Sequence, residues 1–180
     1  MRHLIQKLGQ LIALVSIFAV NGCSQSVPPN KPQTLNPEFD KKIASLLRFN
    51  VPLISVEELT IQQDSVLLLD AREAEEFRVS HIKGAQWVGY NQFQETSLQT
   101  VPKSQPIVVY CSIGYRSEKI GERLQKMGYH NVRNLYGSIF EWVNQGQPVV
   151  DAHNQVTNTV HGYNKNWSRW LDGTKINKTW

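Results

Sequence analysis

Three short segments limit what this chain can fold into. Residues 66–69 (VLLL) and Ile107–Tyr110 are continuous apolar runs bounded by polar residues, and Val132–Leu135 is read as a third strand of the same length. A four-residue strand without a polar face suits a parallel sheet covered on both sides rather than a sheet with one face in water. Between the second and third segments, residues 118–127 place Ile120, Leu124 and Met127 on one helical face, and Gly128 supplies a C-terminal stop. Upstream, residues 38–50 set Phe39, Ile43, Leu46 and Leu47 on one face of a helix. Ser55 and Glu58 have the spacing of a capping box, which opens a short helix after residues 51–54. Short strands alternating with helices predict an α/β fold: an open parallel sheet with helices on both faces.

The ends of the chain read differently from its middle. Arg2 and Lys7 precede residues 11–20, which are apolar except for Ser16. That run is too short for a spanning helix, which needs about 20 apolar residues. It ends at Val20-Asn21-Gly22-Cys23, and here the sequence resembles a bacterial lipoprotein signal peptide. The resemblance implies cleavage before Cys23 and lipid attachment to Cys23. The protein is then expected in the cell envelope, lipid-anchored to a membrane and facing the periplasm or the cell exterior. Residues 24–37 hold four of the eight prolines and a single charge, Lys31, as a semi-extended tether would. The expected layout is a signal peptide at 1–22, a lipidated cysteine and tether at 23–37, a domain with a preceding helix at 38–148, and an extension at 149–180.

Composition sharpens this in two places. With 41% hydrophobic and 19% charged residues the chain can build a core, which excludes wholesale disorder. The formal charge of +4 is partly the signal peptide, since losing Arg2 and Lys7 leaves 17 bases against 15 acids, a charge of +2. No concentrated basic stripe remains, so a nucleic-acid partner is not expected. Two cysteines exclude a disulfide scaffold and a cysteine-rich metal site; neither a metal nor another cofactor is expected.

In open parallel sheets, ligands bind beyond the C-terminal strand ends. Two such ends carry chemistry: Asp70-Ala71-Arg72 and Cys111. The segment Cys111-Ser112-Ile113-Gly114-Tyr115-Arg116-Ser117 joins a buried strand to a helix N-terminus. The helix start offers unpaired N–H groups and partial positive charge. Gly114 permits a tight path, and Arg116 adds a fixed cation. A thiolate there is a nucleophile near neutral pH. Four blocks follow one another in order: residues 70–77 (DAREAEEF), 81–85 (HIKGA), 109–117 (VYCSIGYRS) and 137–142 (GSIFEW). Together they resemble a rhodanese (sulfurtransferase) domain, over about residues 55–148.

That resemblance implies a five-stranded sheet and a mechanism. Cys111 attacks the outer sulfur of a donor such as thiosulfate, and a persulfide forms, cradled by the backbone of Ser112, Ile113, Gly114, Tyr115 and Arg116 and by Ser117. A thiol or cyanide then removes the sulfur. Arg116 would hold the anionic donor and steady the loop. Asp70 and Arg72 would form a supporting shell, paired with each other or with the loop. Two positions depart from the family pattern: Lys83 replaces a usual proline, and Ser138 replaces a frequent second glycine. Both lie outside the cysteine loop, so they bear on local backbone shape rather than on chemistry.

Other readings compete. Cys111 as an inert core thiol fits poorly with Gly114 and Arg116. A phosphatase or arsenate reductase would carry five residues between cysteine and arginine, whereas this loop has four. A persulfide carrier or redox-sensing module is the alternative to an enzyme, because lipidation of Cys23 leaves Cys111 without a resolving partner. His81 is expected to make a local hydrogen bond, while His130, His153 and His161 lack metal-ligand spacing and read as solvated. Glu73, Glu75 and Glu76 read as the exposed face of a short helix, although Glu76 belongs to the family pattern. In the extension, Val149-Val150 and residues 156–160 suit a hairpin. Tyr163, Trp167, Trp170 and Leu171 have the spacing of a helix docked on the domain; contact with a membrane surface or a partner protein is the other reading of these aromatic and basic residues.

Overall fold

In a computed structural model, residues 27–28 and 30–180 are described. The signal peptide, Cys23 and the first part of the tether lie outside the described residues. Among the described residues, no helix is long and apolar enough to cross a membrane.

Five parallel strands form the central sheet: β1 (Leu53–Ile54), β2 (Leu67–Asp70), β3 (Gln86–Trp87), β4 (Ile107–Tyr110) and β5 (Val132–Leu135), in the order β1-β5-β4-β2-β3. The pleat sends alternate residues to opposite faces. Val108 and Tyr110 of β4 join Leu68 and Leu135 in one core; Ile107 and Val109 join Leu69, Ala71 and Val132 in the other. The first core is closed by α1 (Pro37–Ala44), α2 (Val56–Gln62) and α5 (Ser138–Asn144), and the second by α4 (Tyr115–Lys126) through Ile120 and Leu124. The sheet is therefore covered on both sides, and α3 (Ala74–Val79) follows β2 directly.

Local chemistry sets the element ends. Ser55 and Glu58 form the expected capping box on α2. Asn36 caps α1, whose first position is Pro37. The helix expected to reach residue 50 ends at Ala44, because the Glu118 carboxylate accepts the backbone N–H groups of Arg48 (3.0 Å) and Asn50 (3.3 Å) and draws the chain out of helical register. Leu47 still enters the core from this loop. Part of the segment expected to be a tether is docked: Lys31 pairs with Asp40 at 2.5 Å, and the buried Glu141 accepts the N–H of Leu35 at 2.8 Å.

The extension packs back on the domain. β6 (Val149–Val150) and β7 (Val156–Thr157) make an antiparallel hairpin, and β8 (Thr159–His161) pairs in parallel with β9 (Asn177–Thr179). Trp170 stacks on Phe39, with ring centroids 5.3 Å apart, and Leu171 is buried in the first core. The docking helix is shorter than its spacing predicts. Tyr163 takes a left-handed backbone (φ 64°), Asn164 caps the next residues, and α6 (Lys165–Ser168) is a single turn.

Candidate functional site

Cys111 follows the last residue of β4 and is buried. Its Sγ accepts the Gly114 N–H at 3.1 Å and lies 3.5 Å from the Ser117 hydroxyl. Gly114, at φ 116°, turns the chain back into α4, a conformation that L side chains avoid. Burial pushes the Cys111 thiol pKa up, but the Arg116 charge and the hydrogen bonds from Ser117 and Gly114 outweigh it, and the net direction is down. The nucleophile therefore ionises below an ordinary cysteine. The N–H groups of the first turn of a helix have no partner within it, and α4 begins four residues after Cys111.

Neighbouring elements pin the loop. Arg116 makes a two-pronged pair with Glu76 from α3, Nη1 to Oε2 at 2.6 Å and Nη2 to Oε1 at 2.7 Å. Ser112 completes this group: its hydroxyl donates to Glu76 at 3.0 Å and accepts from Arg116 at 2.9 Å. Asn134 of β5 donates to the Gly114 carbonyl at 3.0 Å and accepts the Ser117 hydroxyl at 2.7 Å. That hydroxyl has one proton for two acceptors, Asn134 Oδ1 and Cys111 Sγ. At the N-terminus of α5, the N–H groups of Ile139 and Phe140 donate to the carbonyls of Cys111 and Ser112, both at 3.2 Å.

Several expected placements change. Glu76, read as exposed, is only 1% exposed and is the counter-ion of Arg116. The signal for it was the loop arginine itself, since a largely buried cation needs a partner. Of the pairings left open for Asp70 and Arg72, the structure shows the one with each other, and among the described residues neither side chain bonds to the loop. They pair with each other, fully buried, at 2.7 Å, and Arg72 also donates to the Ser80 carbonyl at 2.6 Å. The pleat explains this: Asp70 is registered with Tyr110, whereas Cys111 continues the opposite face, that of Val109. Among the described residues, Arg72 Nη1 has no hydrogen-bond partner. Ser138 is not a matter of backbone shape alone, because its Oγ accepts the Cys111 N–H at 3.1 Å. It does so from a left-handed backbone, φ 52°. His161 is partly buried rather than solvated; burial lowers its pKa, and its Nδ1 accepts the Tyr163 N–H. His81 makes the local contact expected of it, Nδ1 to the Phe77 carbonyl at 3.1 Å. Asn134 was missed, although a polar residue inside a strand buried on both faces marks itself by its position.

Cys111, Ser112, Ile113, Tyr115 and Arg116 open on a cavity of about 420 Å³. A buried, low-pKa sulfur at the foot of such a cavity, with the Gly114 N–H and the Ser117 hydroxyl on it, suits nucleophilic attack and retention of a small anionic group on that sulfur.

Comparison with known proteins points the same way. A family model, the rhodanese-like domain, matches residues 55–145. A thiosulfate sulfurtransferase GlpE from Actinobacillus succinogenes is 33% identical over 96 residues, covering 52% of this chain and 83% of that protein. A sulfurtransferase from Allochromatium vinosum is 30% identical over 96 residues, covering 53% of this chain and 89% of that protein. Among solved structures, a rhodanese-related protein from Thermoplasma volcanium superimposes with a TM-score of 0.50 at 25% identity, over 55% of this chain and 97% of that one.

Proposed function

Because this chain belongs to the rhodanese-like domain family, we propose that it is a sulfurtransferase that carries sulfane sulfur on Cys111. The observation that bears most weight is the thiol itself: a buried cysteine whose pKa is lowered by Arg116, Ser117 and Gly114, at the start of a helix. The relatives named as sulfurtransferases support the same class of reaction.

The chemistry balances with thiosulfate as donor. The Cys111 thiolate attacks the outer sulfur, the sulfur–sulfur bond of the donor breaks, and sulfite leaves with its electron pair. The persulfide keeps one negative charge, which the N–H groups at the start of α4 stabilise. A thiol or cyanide then takes the outer sulfur and returns the Cys111 thiolate. Arg116 steadies the loop through Glu76 and Ser112 while its charge favours the anionic sulfur. Ser138 and Asn134 fix the backbone on either side of the nucleophile.

Mass analysis of the full chain after thiosulfate treatment tests this. Wild type should gain one sulfur atom and Cys111→Ser none; a folded wild type that gains nothing would refute the reading. Repeated turnover with a small thiol separates an enzyme from a carrier that discharges only to a specific partner. We also propose the lipid anchor at Cys23 and a place in the cell envelope; incorporation of labelled fatty acid, lost in Cys23→Ser, is the expected result.

A further inference from the structure

The extension outside the family match builds part of the wall above Cys111. Tyr163 and Trp167 line the cavity from that extension, and Leu46 lines it from the loop after α1. Ile113, Tyr90 and Tyr115 continue the apolar surface. At about 420 Å³, the cavity falls in the range of small-molecule sites, roughly 300–1,000 Å³. Cyanide or a bare sulfur atom would leave most of it empty.

Charge argues in the same direction. Among the described residues lining the cavity, Arg116 is the one cation, and both its terminal nitrogens are engaged by Glu76 and Ser112. The Tyr163 ring covers the guanidinium at 5.1 Å. Glu73, held by Asn91 at 2.8 Å, adds a negative charge to the rim. Once sulfite has left, the charge of Arg116 faces the persulfide on Cys111, so an anionic acceptor finds no free cation among the described residues of this lining and meets that persulfide and the Glu73 carboxylate. The backbone that carries the wall is also held in place. Tyr163 occupies a left-handed backbone that tyrosine rarely adopts, and His161 holds its N–H at 3.1 Å. The Asn164 side chain caps the Trp167 N–H at 3.1 Å, and Lys42 lies over the Trp167 ring at 5.7 Å.

We propose that the C-terminal extension selects the sulfur acceptor: an uncharged organic thiol with an aromatic or branched apolar body. This rests on the sulfurtransferase reading and narrows its acceptor. The thiol enters with its body against Tyr163 and Trp167 and gives its proton to solvent. Its thiolate attacks the outer sulfur of the Cys111 persulfide. The bond between that sulfur and Sγ breaks, Sγ recovers the electron pair as thiolate, and the organic persulfide leaves.

The test uses the full chain, loaded at Cys111 with thiosulfate and discharged by 2-phenylethanethiol or by the small anionic thiol 2-mercaptoethanesulfonate. Wild type should discharge to 2-phenylethanethiol at least about tenfold faster, a preference typical of an apolar pocket for a matching group. Trp167→Ala and Tyr163→Ala should reduce that preference about tenfold, and Trp167→Phe should keep most of it. Equal rates to the two thiols in wild type, or a preference unchanged in both alanine variants, would overturn the proposal. A wild type that never loads sulfur refutes the parent reading instead. The cavity's selectivity is then read by calorimetry with the unreactive methyl 2-phenylethyl sulfide: binding that weakens in Trp167→Ala upholds the proposed wall, and no binding to wild type overturns it.

Discussion

Cys111 is held between opposing influences, and three neighbouring residues decide the outcome. Burial alone would keep the thiol protonated; Arg116 and the donors around Sγ reverse that. Alkylation of Cys111 by iodoacetamide should therefore show a midpoint below the usual cysteine value near 8.5. Replacing both members of the ion pair, Glu76→Gln with Arg116→Gln, removes the cation without stranding a buried carboxylate. The midpoint should then rise by about one pH unit or more; no rise would assign the low pKa to the hydrogen bonds. Glu76 has its own pH signature. Burial raises its pKa, but Arg116 and the Glu73 N–H bring it below 4.5 in the folded protein. Its stabilising contribution is thus present above about pH 4.5 and is lost as the pH falls through the lowered folded value. Glu76→Ala strands the Arg116 charge and should cost about 3–5 kcal/mol in urea unfolding at pH 7. That difference should shrink at pH 3, and a pH-independent difference would contradict the ion pair. In the sequence, Cys111, Gly114 and Arg116 were legible because their chemistry is local. Glu76 was not, because three neighbouring glutamates look alike until α3 is placed against the loop.

At the scale of elements, strand limits were legible to within a residue: β2 covers Leu67–Asp70 where residues 66–69 were expected. β4 and β5 fall where they were expected, even though Arg133 and Asn134 interrupt β5. α1 could not be bounded from sequence, because its end depends on Glu118, a side chain seventy positions downstream of Arg48. Two glycines of the α4 region test how elements meet. Gly114 is needed for its backbone angle: a Cβ there would have its nearest contact at 3.7 Å, so Gly114→Ala should cost about 1–2 kcal/mol of strain alone. Gly121 is needed for space: its Cβ would lie 2.9 Å from Val51 Cγ2. Alanine is otherwise favoured over glycine in a helix by about 1 kcal/mol, so the sign of Gly121→Ala measures the clash. The expected result is destabilisation by about 1–3 kcal/mol, recovered in part when Val51→Ala is added. Rescue of Gly114→Ala by the same partner is not expected, since Val51 does not touch that site. A matching rescue of both would refute the distinction between angle and space.

For the whole molecule, the question is whether the extension is an attachment or part of the cooperative unit. Its spacing of Trp167, Trp170 and Leu171 correctly announced a surface turned toward the domain. It did not announce the form, because Tyr163 leaves helical geometry and only one turn follows. The contacts are those of a core. Leu171 is 3% exposed, Trp170 stacks on Phe39, and the Asn144 side chain binds both the Trp170 carbonyl (2.8 Å) and the Asp172 N–H (2.9 Å). Phe39 and Leu171 share one cluster with Val108 and Tyr110 of the central strand, so a defect in the extension is felt by the sheet. Leu171→Ala should then lower global stability by about 2–4 kcal/mol. Unfolding should remain a single transition, with tryptophan fluorescence and far-ultraviolet circular dichroism coinciding at each urea concentration. The cysteine loop provides the sharper readout. If the extension belongs to the same unit, alkylation of Cys111 in the variant accelerates only at urea concentrations where the whole chain unfolds. A fluorescence transition, with faster alkylation of Cys111, that precedes the loss of circular dichroism would instead make the extension a separable cover, able to lift from the cavity while the sheet stays folded.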